Sequence, residues 1–166
     1  MKPTVPASGA PARDGQALVE AWLEAIYRIR ADAVGAAGSL RLVPGRPAPV
    51  PAPVHGRVHG LLTAFNPGGQ RLDAAANLAR AARLRVRLAE LDLTWHPAAN
   101  SAADGGWPEP SCWLPDVDAG LLDALAREFG QAATVCVGAD GIARLRLYRD
   151  DWHALLGEDP RWQWPR

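Results

Sequence analysis

Lysine is almost missing from this sequence. Lys2 is the only one, and every other cation among its 18 Lys and Arg residues is arginine. An equal 18 Asp and Glu bring the formal net charge to zero. The broad positive field that draws a protein to nucleic acid or to an anionic membrane is therefore not expected. Arginine's forked contacts suit phosphate, but a chain rich in Ala, Gly and Pro and poor in Lys reads first as the product of a GC-rich genome. Cysteine is scarce too: Cys112 and Cys136 are the only two, and they form no CxxC or metal-ligand spacing. No stretch approaches the roughly 20 apolar residues of a membrane span. Met1–Gly15 lacks the apolar run of a secretory leader, so a soluble protein in the cytoplasm is the expectation.

Hydrophobic residues make up 48% and charged residues 22% of 166, a globular balance at the size of one domain. Residues 1–13 read as a flexible tail and residues 14–166 as a single α/β domain. Asp14 is placed to cap a helix with Leu18, Trp22, Ala25 and Ile29 on one stripe. That helix runs to about Arg30 unless Ile26–Ile29 begins a strand. Ser39–Val43 is a short strand candidate. The Pro-rich segment 44–53 predicts an extended connector. Val58–Phe65, apolar on both faces, predicts a central strand, halted by Asn66-Pro67-Gly68-Gly69. Asp73 caps a helix to about Leu91 whose inner stripe is Asn77, Ala81, Leu84, Leu88 and Leu91. Leu93–His96 reads as a strand, Ala98–Pro110 as a loop and Ser111–Leu114 as a third strand. Asp118 caps a helix stopped at Gly130. Ala132–Val137 and Ile142–Tyr148 form a hairpin across Asp140-Gly141. Arg144 and Arg146 alternate with leucines there, predicting an edge strand with one wet face. A short helix and a Trp-bearing tail occupy residues 150–166.

The order strand, helix, strand, strand, helix, strand from Val58 is that of a split βαβ. The expected fold is thus α+β: a two-layer ferredoxin-like core with an added C-terminal hairpin strand and an N-terminal helical extension. In it the third and fourth strands flank the first. Cys112 and Cys136 then lie about 9.5 Å apart, beyond the roughly 7 Å of a disulfide, and should stay unpaired.

Four segments stand out: Thr63-Ala64-Phe65-Asn66-Pro67; Asn77; Trp107-Pro108-Glu109-Pro110-Ser111; and Phe129-Gly130-Gln131-Ala132-Ala133. In this order they resemble the signature of a bacterial family of unknown function, the one numbered 3293, over roughly residues 18–149. Phe65 stands where the family pattern has Trp, which keeps apolar bulk and loses an indole N–H. The resemblance implies no activity.

The polar members of these segments are Asn66, Asn77, Glu109, Ser111 and Gln131. Antiparallel crossing should carry the first four to one edge of the sheet, with Gln131 able to join them. Two readings stand. The set binds a small polar ligand, an anion or a protein partner near a helix N-terminus, or it satisfies buried backbone atoms. An enzymatic version makes Glu109 the acid or base of a hydrolase or transferase and requires a concave pocket around it. RNA or DNA binding through Arg80, Arg83, Arg87, Arg144 and Arg146 is disfavoured by the zero net charge. No metal and no cofactor is expected. His55 and His59, about 13 Å apart on an extended chain, lack a third ligand at recognisable spacing. Ser111 lacks a nucleophile-elbow context. Trp162 and Trp164 are expected to fold back on the domain.

Overall fold

The computed structural model describes residues 12–35 and 37–165. The expected tail lies outside the described residues except for its last two positions, which open the first helix. That helix, α1, spans Ala12–Glu24, so Asp14 sits inside its first turn rather than at its cap. It ends at Glu24, and Ile26–Arg30, with β-branched Ile26 and Ile29 and aromatic Tyr27, forms strand β1. β2 is Ser39–Leu42, β3 is Val58–Leu62 and β4 is His96–Ser101. β5 is Glu109–Val117, β6 is Ala133–Val137, β7 is Ala143–Leu147 and β8 is Trp162–Gln163. Helix α2 is Ala74–Glu90, capped by Asp73 accepting from the Ala76 N–H; α3 is Ala119–Glu128, capped by Asp118 accepting from the Leu121 N–H. The short α4 is His153–Leu156.

The fold is mixed α+β: these four helices and a single eight-stranded sheet, β2-β1-β4-β5-β3-β6-β7-β8, among the described residues. β5 and β6 flank β3, both antiparallel to it. Cys112 and Cys136 face the same side and are free and buried. Burial pushes both thiols up to about 11.

The expected two layers are three. Leu62, Cys112, Leu114 and Cys136 pack under Leu84 and Leu88 of α2 and Leu122 and Leu125 of α3. On the opposite face Leu61, Trp113, Val135 and Leu145 pack with Val19, Leu18 and Trp22 of α1 and with Trp152. A strand apolar on both sides must be covered on both sides, and α1 supplies the second cover. It is part of the core rather than an extension.

β7 is not an edge. β6 pairs with it antiparallel and β8 pairs with it in parallel. The Pro-rich segment hydrogen-bonds to its start, Gly45 N–H to Ala143 O at 2.7 Å and Ala48 N–H to Gly141 O at 2.8 Å. Its arginine face is wet only in part: Arg144 is half-buried and pairs with exposed Asp140. Arg146 is buried and forks onto Asp123 of α3 at 2.5 and 2.7 Å. The tail folds back as expected, Trp162 through β8 and Trp164 through His153, ring centroids 4.5 Å apart.

Candidate functional site

The stretch expected as a loop after His96 is where the site is made. Residues 96–101 have little strand propensity, yet they form β4 because β1 and β5 pair with them on either side, a case of tertiary context overriding preference. Tyr27, Asn100 and Glu109 thereby become a row across three adjacent strands, Tyr27 opposite Asn100 and Asn100 opposite Glu109.

Glu109 is buried at 9% exposure. Its Oε1 accepts from Asn66 Nδ2 at 2.7 Å and from Trp107 Nε1 at 2.9 Å, and its Oε2 accepts from Asn100 Nδ2 at 2.9 Å. All three donors are neutral side chains. No Lys, Arg or His nitrogen among the described residues forms an ion pair with it. A carboxylate removed from water without a cation is costly unless fully hydrogen-bonded, and the surrounding residues are organised to supply those bonds.

Asn66 adopts a left-handed conformation, φ 44°, which asparagine tolerates better than most residues. Asn77 holds it there: Asn77 Oδ1 accepts from the Asn66 N–H and Asn77 Nδ2 donates to Asn66 Oδ1, both at 2.9 Å. Leu72 N–H also donates to Asn66 Oδ1, so the amide is oriented with its nitrogen toward Glu109. Ser111 acts one step back as well. Its hydroxyl donates to Asn100 Oδ1 at 2.5 Å, leaving the Asn100 nitrogen to face the carboxylate. Gln131 Nε2 donates to Phe65 O at 3.0 Å, and Gly68 N–H donates to Gly130 O at 2.8 Å. A Cβ on Gly130, φ 65°, would sit 3.1 Å from Pro67. The Asn-Pro bend and the Phe-Gly-Gln bend therefore interlock.

All five expected polar residues come together, but they divide by role. Asn66, Glu109 and Gln131 line a cavity of about 300 Å³ between α1 and the sheet. Asn77 and Ser111 do not line it and act through Asn66 and Asn100. Leu18, Trp22, Leu61, Val135 and Leu145 give the cavity apolar walls, and Tyr27, Thr63, Asn100 and Trp107 contribute at its polar end. The carboxylate lies neither flat on the surface nor against backbone amides. The sequence pointed to neither Tyr27 nor Asn100, and it predicted the helix that is α1 without placing it against the site. Asn100 carried a signal in principle, as an amide at mirror distance from Glu109 about a Gly-rich turn.

Trp107 is an outlier. It is 44% exposed, holds φ 52° before Pro108, and carries Arg71 over its ring at 5.2 Å. A bulky residue in that region costs on the order of 1–2 kcal/mol. Its bond to Glu109 fixes the indole at the cavity. Tyr27 donates its hydroxyl to Trp22 O at 2.7 Å. Burial, and then the charge of Glu109, raise the Tyr27 phenol well above its ordinary value.

His59 and the arginine candidates have structural partners, and His55 is exposed. His59 is buried, its Nδ1 accepting from the Asp116 N–H and its Nε2 lying 3.0 Å from Pro51 O, so both ring nitrogens are occupied by backbone. Arg80 donates to Ala64 O and Phe129 O, Arg83 lies over Phe129, Arg87 pairs with Glu90 and Glu128, and Arg144 pairs with Asp140. The described residues contain no group of three or more potential metal ligands, and no helix among them is long and apolar enough to cross a membrane.

Compared with known proteins, residues 62–134 match the model of the family described as Protein of unknown function (DUF3293). The matched stretch runs from the end of β3 into β6 and contains every polar residue of the interlocked network. It is narrower than the 18–149 expected from the motifs and leaves out α1 and Tyr27. No curated protein and no solved structure matches the chain.

Proposed function

We propose that this domain binds a small organic molecule in the cavity between α1 and the sheet, anchored at Glu109. The observation that carries the reading is a buried carboxylate among neutral polar groups at one end of about 300 Å³ of largely apolar space, the size and character of a small-ligand site. The anion version expected from sequence loses support. The Ala76 N–H in the first turn of α2 is spent on its cap Asp73, the Asn66 and Leu72 N–H groups that precede the helix are spent on Asn77 and Asn66, and the group facing the cavity is itself negative. The order β6-β3-β5-β4, antiparallel throughout, supports reading the core as a ferredoxin-like split βαβ to which α1, β1, β2, β7 and β8 add the walls.

The test is a thermal-shift screen of small metabolites against the full chain and against Ala133→Phe, which places a ring in the cavity floor. Ligands that stabilise the parent and not the filled variant are the expected result. A screen in which every hit stabilises both equally refutes the site. A second reading makes Glu109 a general acid or base. It is favoured by the concave setting and by carboxylate bonds that come from side chains rather than from backbone. It predicts turnover of a screening hit that Glu109→Gln abolishes while the hit still binds.

A further inference from the structure

Resting on that reading of the cavity, we infer that its occupant is an organic ammonium: a protonated amine on an apolar body, the nitrogen against Glu109. The hydrogen-bond count at the polar end points this way. An ionised carboxylate has about four lone-pair sites. Glu109 fills two on Oε1 and one on Oε2, which leaves an acceptor site on Oε2. Gln131 commits its nitrogen to Phe65 O and Phe129 O, and its Oε1 has no donor among the described residues. The neighbouring hydrogens are already engaged, that of Tyr27 by Trp22 O and that of Thr63 by Pro110 O. Glu109 and Gln131, both lining the cavity, therefore each keep acceptor capacity that N–H donors could use.

Charge selects further. Glu109 carries the only ionisable carboxylate in the lining, no cation lines the cavity, and none pairs with it among the described residues. A cation entering there completes a pair that the fold leaves open, whereas a second anion would be repelled in a low-dielectric space. Trp22, Tyr27 and Trp107 bring three aromatic rings to the same lining, Trp107 with Arg71 already over one face, and open ring faces attract an ammonium as well. Leu61, Val135 and Leu145 form the opposite, apolar end, which asks for a hydrocarbon or aryl body rather than a second charge.

Three probes of one shape separate charge from fit: phenethylamine, 2-phenylethanol and phenylacetate, titrated at neutral pH into the full chain with amide chemical shifts as the readout. The expected result is that the amine binds at least tenfold more tightly than the alcohol, that the acid does not bind, and that shifts map to β4, β5 and α1. Glu109→Gln should erase the amine's advantage, and Ala133→Phe should abolish binding of amine and alcohol alike. Should the Gln variant fail to fold, titrating the wild type with N,N,N-trimethylphenethylammonium supplies the second measurement: without an N–H it should bind more weakly than the primary amine. Alcohol binding equal to amine binding, blocked by Ala133→Phe, overturns the ammonium and leaves the cavity reading standing. Preferential binding of the acid overturns the charge argument in the same way. Shifts that ignore Ala133→Phe overturn both.

Discussion

Asn77→Ala is the perturbation that most directly tests how the site is held. Asn77 is 5% exposed and lies one turn into α2. Its side chain makes three bonds: it accepts from the Asn66 N–H at 2.9 Å, donates to Asn66 Oδ1 at 2.9 Å, and donates to Leu72 O at a longer 3.3 Å. Alanine is a good helix former, so the helix itself loses nothing. The loss is concentrated at Asn66, whose buried N–H is left without an acceptor at about 1–3 kcal/mol. Asn66 Oδ1 keeps Leu72 N–H, so the second bond adds only about 1 kcal/mol. The sum is about 2–4 kcal/mol, a fall in Tm of roughly 5–15 °C for a domain of this size. Urea denaturation should show a lower midpoint with an unchanged slope. Asn77→Asp should recover only part of the loss, since it restores the acceptor for the Asn66 N–H but sets a carboxylate oxygen against Asn66 Oδ1. A loss under about 1 kcal/mol for the alanine variant would mean that the left-handed Asn66 holds itself, and the positioning argument would fail. Because Asn77 does not line the cavity, its removal should weaken ligand binding only through Asn66.

Three further outcomes are expected. Arg146→Ala should destabilise by about 3–5 kcal/mol in chemical denaturation, because it strands Asp123 in a buried pair, while Arg146→Met with Asp123→Leu should cost far less. Stability should fall above about pH 9: unfolded thiols ionise there, whereas Cys112 and Cys136 hold their protons until about 11. The unfolded chain then binds fewer protons and is favoured as pH rises, by up to about 3 kcal/mol per thiol at pH 11; an alanine pair at these positions should flatten that limb of a pH–stability curve. Trp107→Phe, which keeps a ring and removes one donor to Glu109, should cost about 1–2 kcal/mol and weaken binding of any ligand that contacts the carboxylate, measured by titration calorimetry.

How legible the fold was depended on whether the signal was local. The caps at Asp73 and Asp118 and the Asn77-Ala81-Leu84-Leu88 stripe were readable because each follows from a few consecutive residues and a 3.6-residue period. The apolar–apolar pattern of β3 already demanded cover on both faces, yet α1 was set aside as an extension because nothing in its own pattern names its partner. β4 has little local signal: Pro97-Ala98-Ala99-Asn100 has low strand propensity of its own and becomes a strand between two neighbours. The alternation in β7 was read correctly as a difference between faces and wrongly as wet against dry, since the partner of Arg146 is Asp123, 23 residues away. Asn66, Asn77, Glu109, Ser111 and Gln131 were found together because motif positions and antiparallel topology converge. Which of them face the cavity required knowing where α1 lies.

The network also bears on why a carboxylate stands at position 109. A stability-driven core would do better without it, because a buried charge held only by neutral donors is at best even with an apolar replacement. The chain nevertheless keeps two non-glycine residues at positive φ beside it, Asn66 and Trp107. It also aims two asparagine amides at it through second partners, Asn77 and Ser111. Strain of this kind persists where the surroundings over-determine it, and it gathers at sites that must be pre-organised. If the purpose were only to tie β4 to β5, the direct ladder pairing of Asn100 with Glu109 would suffice, and neither Trp107 nor Asn66 would need to be bent toward the carboxylate. Combining Glu109→Leu with Asn66→Gly and Trp107→Gly, which relaxes both backbones and removes the charge, should therefore leave a folded domain at a cost far below the sum of the single changes. A cost equal to that sum, measured by denaturation of the four variants and the parent, would instead place Glu109 in the scaffold.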